Sequence, residues 1–161
     1  MLSRNQIITS NLPKSSGVYF WYVNQKGADL LGIDISECHV KGGYYLVYIG
    51  LAKSIHQRLD WHCFNKHSSS TIKSGFLSTL RQTLSALLVG NMVNAEEIVN
   101  NFMSNYMMVE YEIRLDYIEY EKNLISQRNL PLNLKNNKNH PFYKILKLKR
   151  KESKLNSLNL L

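Results

Sequence analysis

Glu121 is the residue that asks most of its surroundings. On a helix its i−4, i−3, i+3 and i+4 neighbours are Tyr117, Ile118, Leu124 and Ile125, all apolar or aromatic. A carboxylate in such a stripe is costly to bury unless its charge is met. A divalent cation such as Mg²⁺ or Mn²⁺ would meet it, as would a buried arginine, and an ordinary core would use a tyrosine or arginine hydrogen bond. Glu119 serves as a control, because its helical neighbours Leu115, Asp116, Lys122 and Asn123 make a mostly polar surface. Arg58 and His62 lie one turn apart on the stripe of Ile55 and Leu59, so both are expected to face the interior or a cleft floor. A buried arginine seeks a carboxylate or phosphate that fits its fork, so Arg58 either pairs with Glu121 or faces an anionic ligand. A lone histidine on an apolar face is more often a satisfied core residue than a catalyst. His62, Cys63 and His67 would suggest zinc, but no second ligand pair follows at finger-like spacing, and two cysteines cannot make a four-cysteine site.

The elements that must position these residues can be read from pattern. Ser16-Gly17 opens the β-branched and aromatic run Val18–Val23, a strand, and Tyr44–Ile49, stopped by Gly50, is a second. The two should pair as an antiparallel hairpin across a long connection, 24–43, with a short ordered piece near Leu30–Ile35. A short helix starting near Ser54 carries Arg58 and His62. Asn65–Gly75 reads as loop. Phe76, Leu77, Leu80, Leu84, Leu87 and Leu88 mark an amphipathic helix closed by Gly90. A capped helix runs from Asn94 to about Phe102, and Tyr106–Leu115 is the third strand. Asp116 is expected to cap a helix from Tyr117 to about Arg128, Leu130–Asn139 is loop, and His140–Lys151 is a last helix before a frayed tail. The fold class is therefore α+β: a small, mostly antiparallel, three-stranded sheet flanked by helices.

With 161 residues, 44% of them hydrophobic, the chain suits one domain with its own core, and two cysteines exclude a disulfide framework. No run is long enough for a secretory signal or a membrane span, so an intracellular, cytoplasmic protein with no membrane partner is expected. The net charge of +8 is unevenly placed. Residues 122–151 hold Lys122, Arg128, Lys135, Lys138, Lys144, Lys147, Lys149, Arg150 and Lys151 and no acid, so the excess lies in this one segment. Trp61–Ala95 is also acid-free. Such a segment is either a solvated helix or a phosphate-binding surface, which would position a nucleic acid without reading its sequence.

Tyr19 and Tyr48 sit on the two hairpin strands, each accompanied by a glycine: Gly17-Val18-Tyr19 and Tyr48-Ile49-Gly50. These triplets resemble the two signatures that name the GIY-YIG nuclease superfamily. Tyr48–Lys53 followed by Arg58-Leu59 is similar to that family's strand, turn and arginine-bearing helix, and His62 falls where members commonly have His or Tyr. Glu121-Lys122-Asn123-Leu124-Ile125 resembles its metal-binding E-x-x-L-I step, and Pro131-Leu132-Asn133 its closing P-x-N. The chain departs from the pattern in the long 24–43 connection, in a helical insert at about 65–105, and in Leu51, where a basic residue often follows the second glycine. Ser78–Leu84 and His140-Pro141-Phe142 resemble features of compact standalone members.

The resemblance implies a single domain over 1–161, with a basic C-terminal helix at about 140–151, that hydrolyses DNA phosphodiester bonds. One Mg²⁺ or Mn²⁺ per active site would be held by Glu121, with Arg58 neutralising charge on the phosphorus centre. Tyr48 would position or deprotonate the water, Tyr19 and His62 would orient it or relay its proton, and Asn133 would brace the site. Lys53, Lys73, Arg81, Lys147, Lys149 and Arg150 would hold the backbone of double-stranded DNA. The insert and the 24–43 connection are the expected seats of specificity, and a sequence-specific enzyme would work as a homodimer. Two other readings stay open: a DNA-binding module on the same scaffold that does not cleave, and an interaction protein whose basic helix meets an acidic partner.

Overall fold

The computed structural model describes residues 1–161. Its centre is a sheet in the order β1-β5-β2-β4-β3, with every pairing antiparallel. The three expected strands form its middle: β2 (Gly17–Asn24), β4 (Tyr44–Ala52) and β5 (Met107–Ile113). The sheet has five strands rather than three because β1 (Leu2–Ser3) and β3 (Val40–Lys41) add short edges. Two residues are too few to carry a periodic signal. β3 covers only Tyr45 and Tyr44 of β4, which leaves the C-terminal half of β4 as an open edge.

The two sheet faces bury different cores. Tyr19, Trp21 and Val23 alternate toward the larger one, which also holds Leu59, Leu80, Leu84, Val99 and Met103. Val18, Phe20 and Tyr22 alternate toward a smaller one with Leu46, Ile49 and Ile125. The register slips between Trp21 and Tyr22, which face Tyr48 and Leu46, so Val47 is the extra residue of a β-bulge. Val47 and Tyr48 consequently both pack toward the larger core. Tyr48, opposite Trp21 in the regular part of the ladder, shares the face of Tyr19, and the bulge turns Val47 toward that face as well.

Helices cover both faces. The larger core is packed by α1 (Arg4–Thr9), α2 (Gln25–Leu31), α3 (Ile55–Phe64), α5 (Thr79–Leu88) and α6 (Glu96–Tyr106), and the smaller one by α7 (Tyr117–Gln127). The ordered piece between the first two expected strands is α2, capped by Asn24 and ended by Gly32 in the left-handed conformation, and it lies upstream of the expected Leu30–Ile35. The expected loop at 65–75 contains α4 (Ser69–Ser74), a single capped turn too short to show a period. Phe76 lies outside α5 and is exposed, because the helix starts at its N-cap, Ser78. Asn94 caps nothing; α6 starts at Glu96 and runs four residues beyond Phe102 to Tyr106. Asp116 occupies the N-cap position of α7, yet its carboxylate pairs with Arg114 instead of capping (2.7 Å). The largest difference is α8, which spans Tyr143–Leu160, so the tail expected to fray is helical. It packs along α5 and buries Leu146, Ser153 and Ser157. No helix is long and apolar enough to cross a membrane.

Candidate active site

Two glycines let backbone and ring approach where a side chain would forbid it. Gly50 lies opposite Tyr19, and a Cβ there would stand 2.2 Å from the Tyr19 hydroxyl. A Cβ on Gly17 would stand 2.2 Å from the Glu112 carbonyl of the neighbouring strand. The first close contact sets the position of the phenol, and the second sets the spacing of the strands that carry it.

Around the open edge of β4 lies a cavity of about 310 Å³, lined by Tyr19, Tyr48, Arg58, Glu121, Asn133 and Arg150, among others. Helix α3 brings Arg58, α7 brings Glu121, and the turn at Pro131 brings Asn133. The Ile49 N–H donates to Asn133 Oδ1 (2.9 Å), and Asn133 Nδ2 donates to the Ile49 carbonyl (2.8 Å). Asn133 therefore serves this part of β4 as a missing strand would, with both ends of its amide engaged.

Glu121 is only 5% exposed, has no hydrogen-bond partner and belongs to no ion pair. Burial raises its carboxyl above the usual range, with the nearby Lys135 pulling the other way. Ile118 is exposed, so the apolar surroundings come from Tyr117, Leu124 and Ile125. Arg58 does not pair with Glu121; its guanidinium stacks over the Trp61 ring, 4.9 Å from the centroid. Both charges are thus left for a ligand. A lone carboxylate beside open space suits a hard dication such as Mg²⁺, which keeps several waters and takes few protein ligands. No cluster of three or more His, Cys, Asp or Glu side chains lies anywhere in the fold.

His62 is fully buried and does not line the cavity. Its Nε2 shares a 2.8 Å hydrogen bond with the Tyr19 hydroxyl and its Nδ1 a 2.5 Å bond with Ser78 Oγ. Burial, with Arg58 and Arg81 nearby, pushes the imidazole down to about 3, so it is neutral at pH 7. Tyr19 is raised well above the ordinary phenol value, first by burial and then by Tyr48. Tyr48 is also raised by burial, while Tyr19, Thr79 and Arg150 oppose the shift. It is the more exposed phenol of the two, and so the one that meets solvent.

The six expected DNA contacts divide three ways. Lys53, Lys73, Lys147 and Lys149 are exposed and outside the cavity. Arg81 cannot contact DNA as folded, because it is 0% exposed and fully engaged inside. Its Nη1 donates to the His62 and Cys63 carbonyls (3.3 and 3.2 Å), Nη2 to Asn100 Oδ1 (2.8 Å) and Nε to His67 Nε2 (3.0 Å). Together with Arg4, whose Nε donates to the Cys63 carbonyl (2.9 Å), it closes the C-terminus of α3, where cations are favoured. Burial lowers Arg81 to about 10. Arg150 is half-buried and lines the cavity.

Sequence reasoning missed the part played by α5. Ser78 holds His62, Thr79 and Thr83 line the cavity, Arg81 ties down α3, and Gln82 accepts from Arg150 Nη2 (2.8 Å). The stretch Ser78–Leu84 stood out in the sequence, but helical period explains only its leucines. The available signal was the number of polar residues on a helix that must also bury Leu80 and Leu84.

Comparison with curated proteins and with solved structures gave no match. A family model described as the GIY-YIG catalytic domain matches residues 17–152. That span takes in both tyrosine strands, Arg58, Glu121 and Asn133, and continues through the cavity-facing Arg150. At the level of the family it implies a nuclease, a hydrolase of phosphodiester bonds. The chain belongs to the GIY-YIG nuclease superfamily.

Proposed function

We propose that the protein is a DNA endonuclease that depends on a divalent metal, Mg²⁺ or Mn²⁺. The observation that carries this reading is the buried, unpartnered carboxylate of Glu121 in one cavity with Tyr48 and an arginine, Arg58, that lacks a carboxylate. Glu121 would hold the ion, which when bound polarises the phosphate and stabilises the leaving oxygen. Arg58 faces the phosphoryl oxygens and offsets the charge that grows on them. Tyr48 orients the attacking water; burial favours its neutral phenol, so taking the proton would require the phenolate, which a bound cation and Arg150 would favour. Tyr19 is pinned by His62 and fixes the wall on which that water sits. Asn133 keeps Ile49, and with it Tyr48 and Gly50, in register.

Double-stranded DNA is the proposed substrate because the acid-free basic segment runs from α7 into α8, beside the cavity. The test is cleavage of supercoiled plasmid with and without Mg²⁺, by wild type and by Glu121→Ala at matched concentration. Metal-dependent cutting by the wild type alone is expected. Binding without cutting by either protein would instead favour a non-cleaving module.

A further inference from the structure

Arg150 is half-buried, unlike the exposed lysines of its helix. On α8 it shares the packing stripe of Leu146, Ser153 and Ser157, while Lys147, Lys149 and Lys151 are exposed. The stripe is held close to its neighbours, since Ser157 Oγ accepts the Met92 N–H (2.7 Å) and donates to the Ser153 carbonyl (2.6 Å). Only one of the five guanidinium donors is used, by Nη2 to Gln82 Oε1 (2.8 Å). The ion pairs of the molecule are Lys41–Glu110, Lys66–Glu96, Arg114–Glu112 and Arg114–Asp116, so Arg150 has no carboxylate.

Arg81 shows how this fold satisfies a buried arginine that serves structure alone. Its donors are spread over carbonyls, an amide and an imidazole. Arg150 has been given one neutral partner and open space. Thr79 and Thr83 of α5 line the same space. A partly desolvated cation with unused donors is stabilised most by an anion that takes its fork, and phosphate is the anion whose geometry suits it.

We propose that Arg150, with Thr79 and Thr83 on the α5–α8 wall, is a second phosphate-binding site, taking a backbone phosphate of the bound nucleic-acid strand other than the one at Arg58 and Glu121. This rests on the reading of the cavity as a phosphodiester site. C-terminal helix α8 is then part of the substrate-binding machinery rather than a basic arm beside it. Gln82 orients the guanidinium, and the length of α8 beyond residue 151 anchors the turn that carries it.

The test is binding of a labelled 20-base-pair duplex, without divalent metal, across a salt titration, by wild type, Arg58→Gln, Arg150→Gln, Arg150→Lys and the Arg58→Gln/Arg150→Gln double variant. Arg150→Gln should raise Kd about tenfold and lower the slope of log K against log salt by about 1. Arg150→Lys, which keeps the charge and loses the fork, should raise Kd about threefold. Because the two arginines hold different phosphates, their effects on Kd should multiply in the double variant. Unchanged affinity of a folded Arg150→Gln overturns the second site while leaving the nuclease reading intact. So does a double variant no weaker than its weaker parent, which would mean a single shared phosphate. Should Arg150→Gln not fold, Arg150→Lys decides alone, and affinity equal to wild type overturns the site. Failure of the wild type to bind at low salt would overturn the nucleic-acid reading and this site with it.

Discussion

At the scale of single residues, the site trades stability for readiness. Glu121 is buried without a partner, which an ordinary core residue would not tolerate. Glu121→Gln keeps the shape and removes the charge. Without divalent metal the variant should be as stable as wild type or more so by about 1 kcal/mol, a rise in Tm of roughly 2–4 °C, while cleavage is lost. Calorimetry checks the sign, and a large loss of stability would mean that the carboxylate has a partner after all. His62 is the opposite case, a side chain with both nitrogens engaged. Ser78 has two duties, accepting the Arg81 N–H as the N-cap of α5 (3.4 Å) and bonding His62 Nδ1. Ser78→Gly separates them, since glycine is a fair N-cap and costs α5 only a few tenths of a kcal/mol. The imidazole nevertheless loses the bond that holds it against Tyr19. The expected outcome is kcat down about tenfold with KM unchanged, and recovery of kcat in Ser78→Thr. A change in KM alone would place Ser78 in substrate binding instead.

At the scale of elements, α5 and α8 form a second layer that supports the first. The chemistry-bearing residues sit on β2, β4, α3 and α7, and those were legible because each carries a strong local pattern: aromatic runs ended by glycine, or charges on apolar helical stripes. The support was not legible, for physical reasons. The bulge at Val47 leaves no trace in Tyr44–Ile49, where every residue is apolar or aromatic and no alternation can slip. The end of α8 reads as frayed because its packing face there is serine, polar in pattern yet buried. Charge marks Arg150 together with its exposed neighbours, and charge cannot tell the packed stripe of a helix from its wet one. The serine face makes a paired prediction. Ser157→Ala leaves the buried Met92 N–H without an acceptor and should cost about 1–2 kcal/mol. Ser153 Oγ has no partner, so Ser153→Ala should be neutral or stabilising by a similar amount. Urea unfolding with equal m-values for both variants measures the difference, and equal losses would contradict this packing of α8.

At the scale of the whole molecule, the histidines couple folding to pH in a direction the structure fixes. His62 and His67 are buried, and His140 is half-buried. Burial holds all three below the ordinary imidazole value, His62 at about 3. His67 also needs its neutral form, since Nδ1 is bonded to the Met92 carbonyl (2.8 Å) and Nε2 accepts from Arg81. In the unfolded chain these rings titrate near ~6.5. Between that pH and the folded values the unfolded state binds more protons than the folded one, so stability rises with pH. The contribution is fully present above about 6.5 and is lost progressively as the pH falls toward 3. Glu121 acts in the opposite sense. Its folded value is raised, so the folded state holds its proton longer and gains stability as the medium becomes acid. Three rings outweigh one carboxyl, and the urea midpoint should be lower at pH 5 than at pH 7. The two variants that remove one side each should move this difference in opposite directions. Glu121→Gln should widen it by removing the opposing group. His62→Gln should lower the midpoint at both pH values, through the lost Tyr19 contact, and narrow the gap between them. A midpoint that is flat or higher at pH 5 in the wild type would mean that the rings are already protonated in the fold, and that His62 cannot be the neutral brace against which Tyr19 is set.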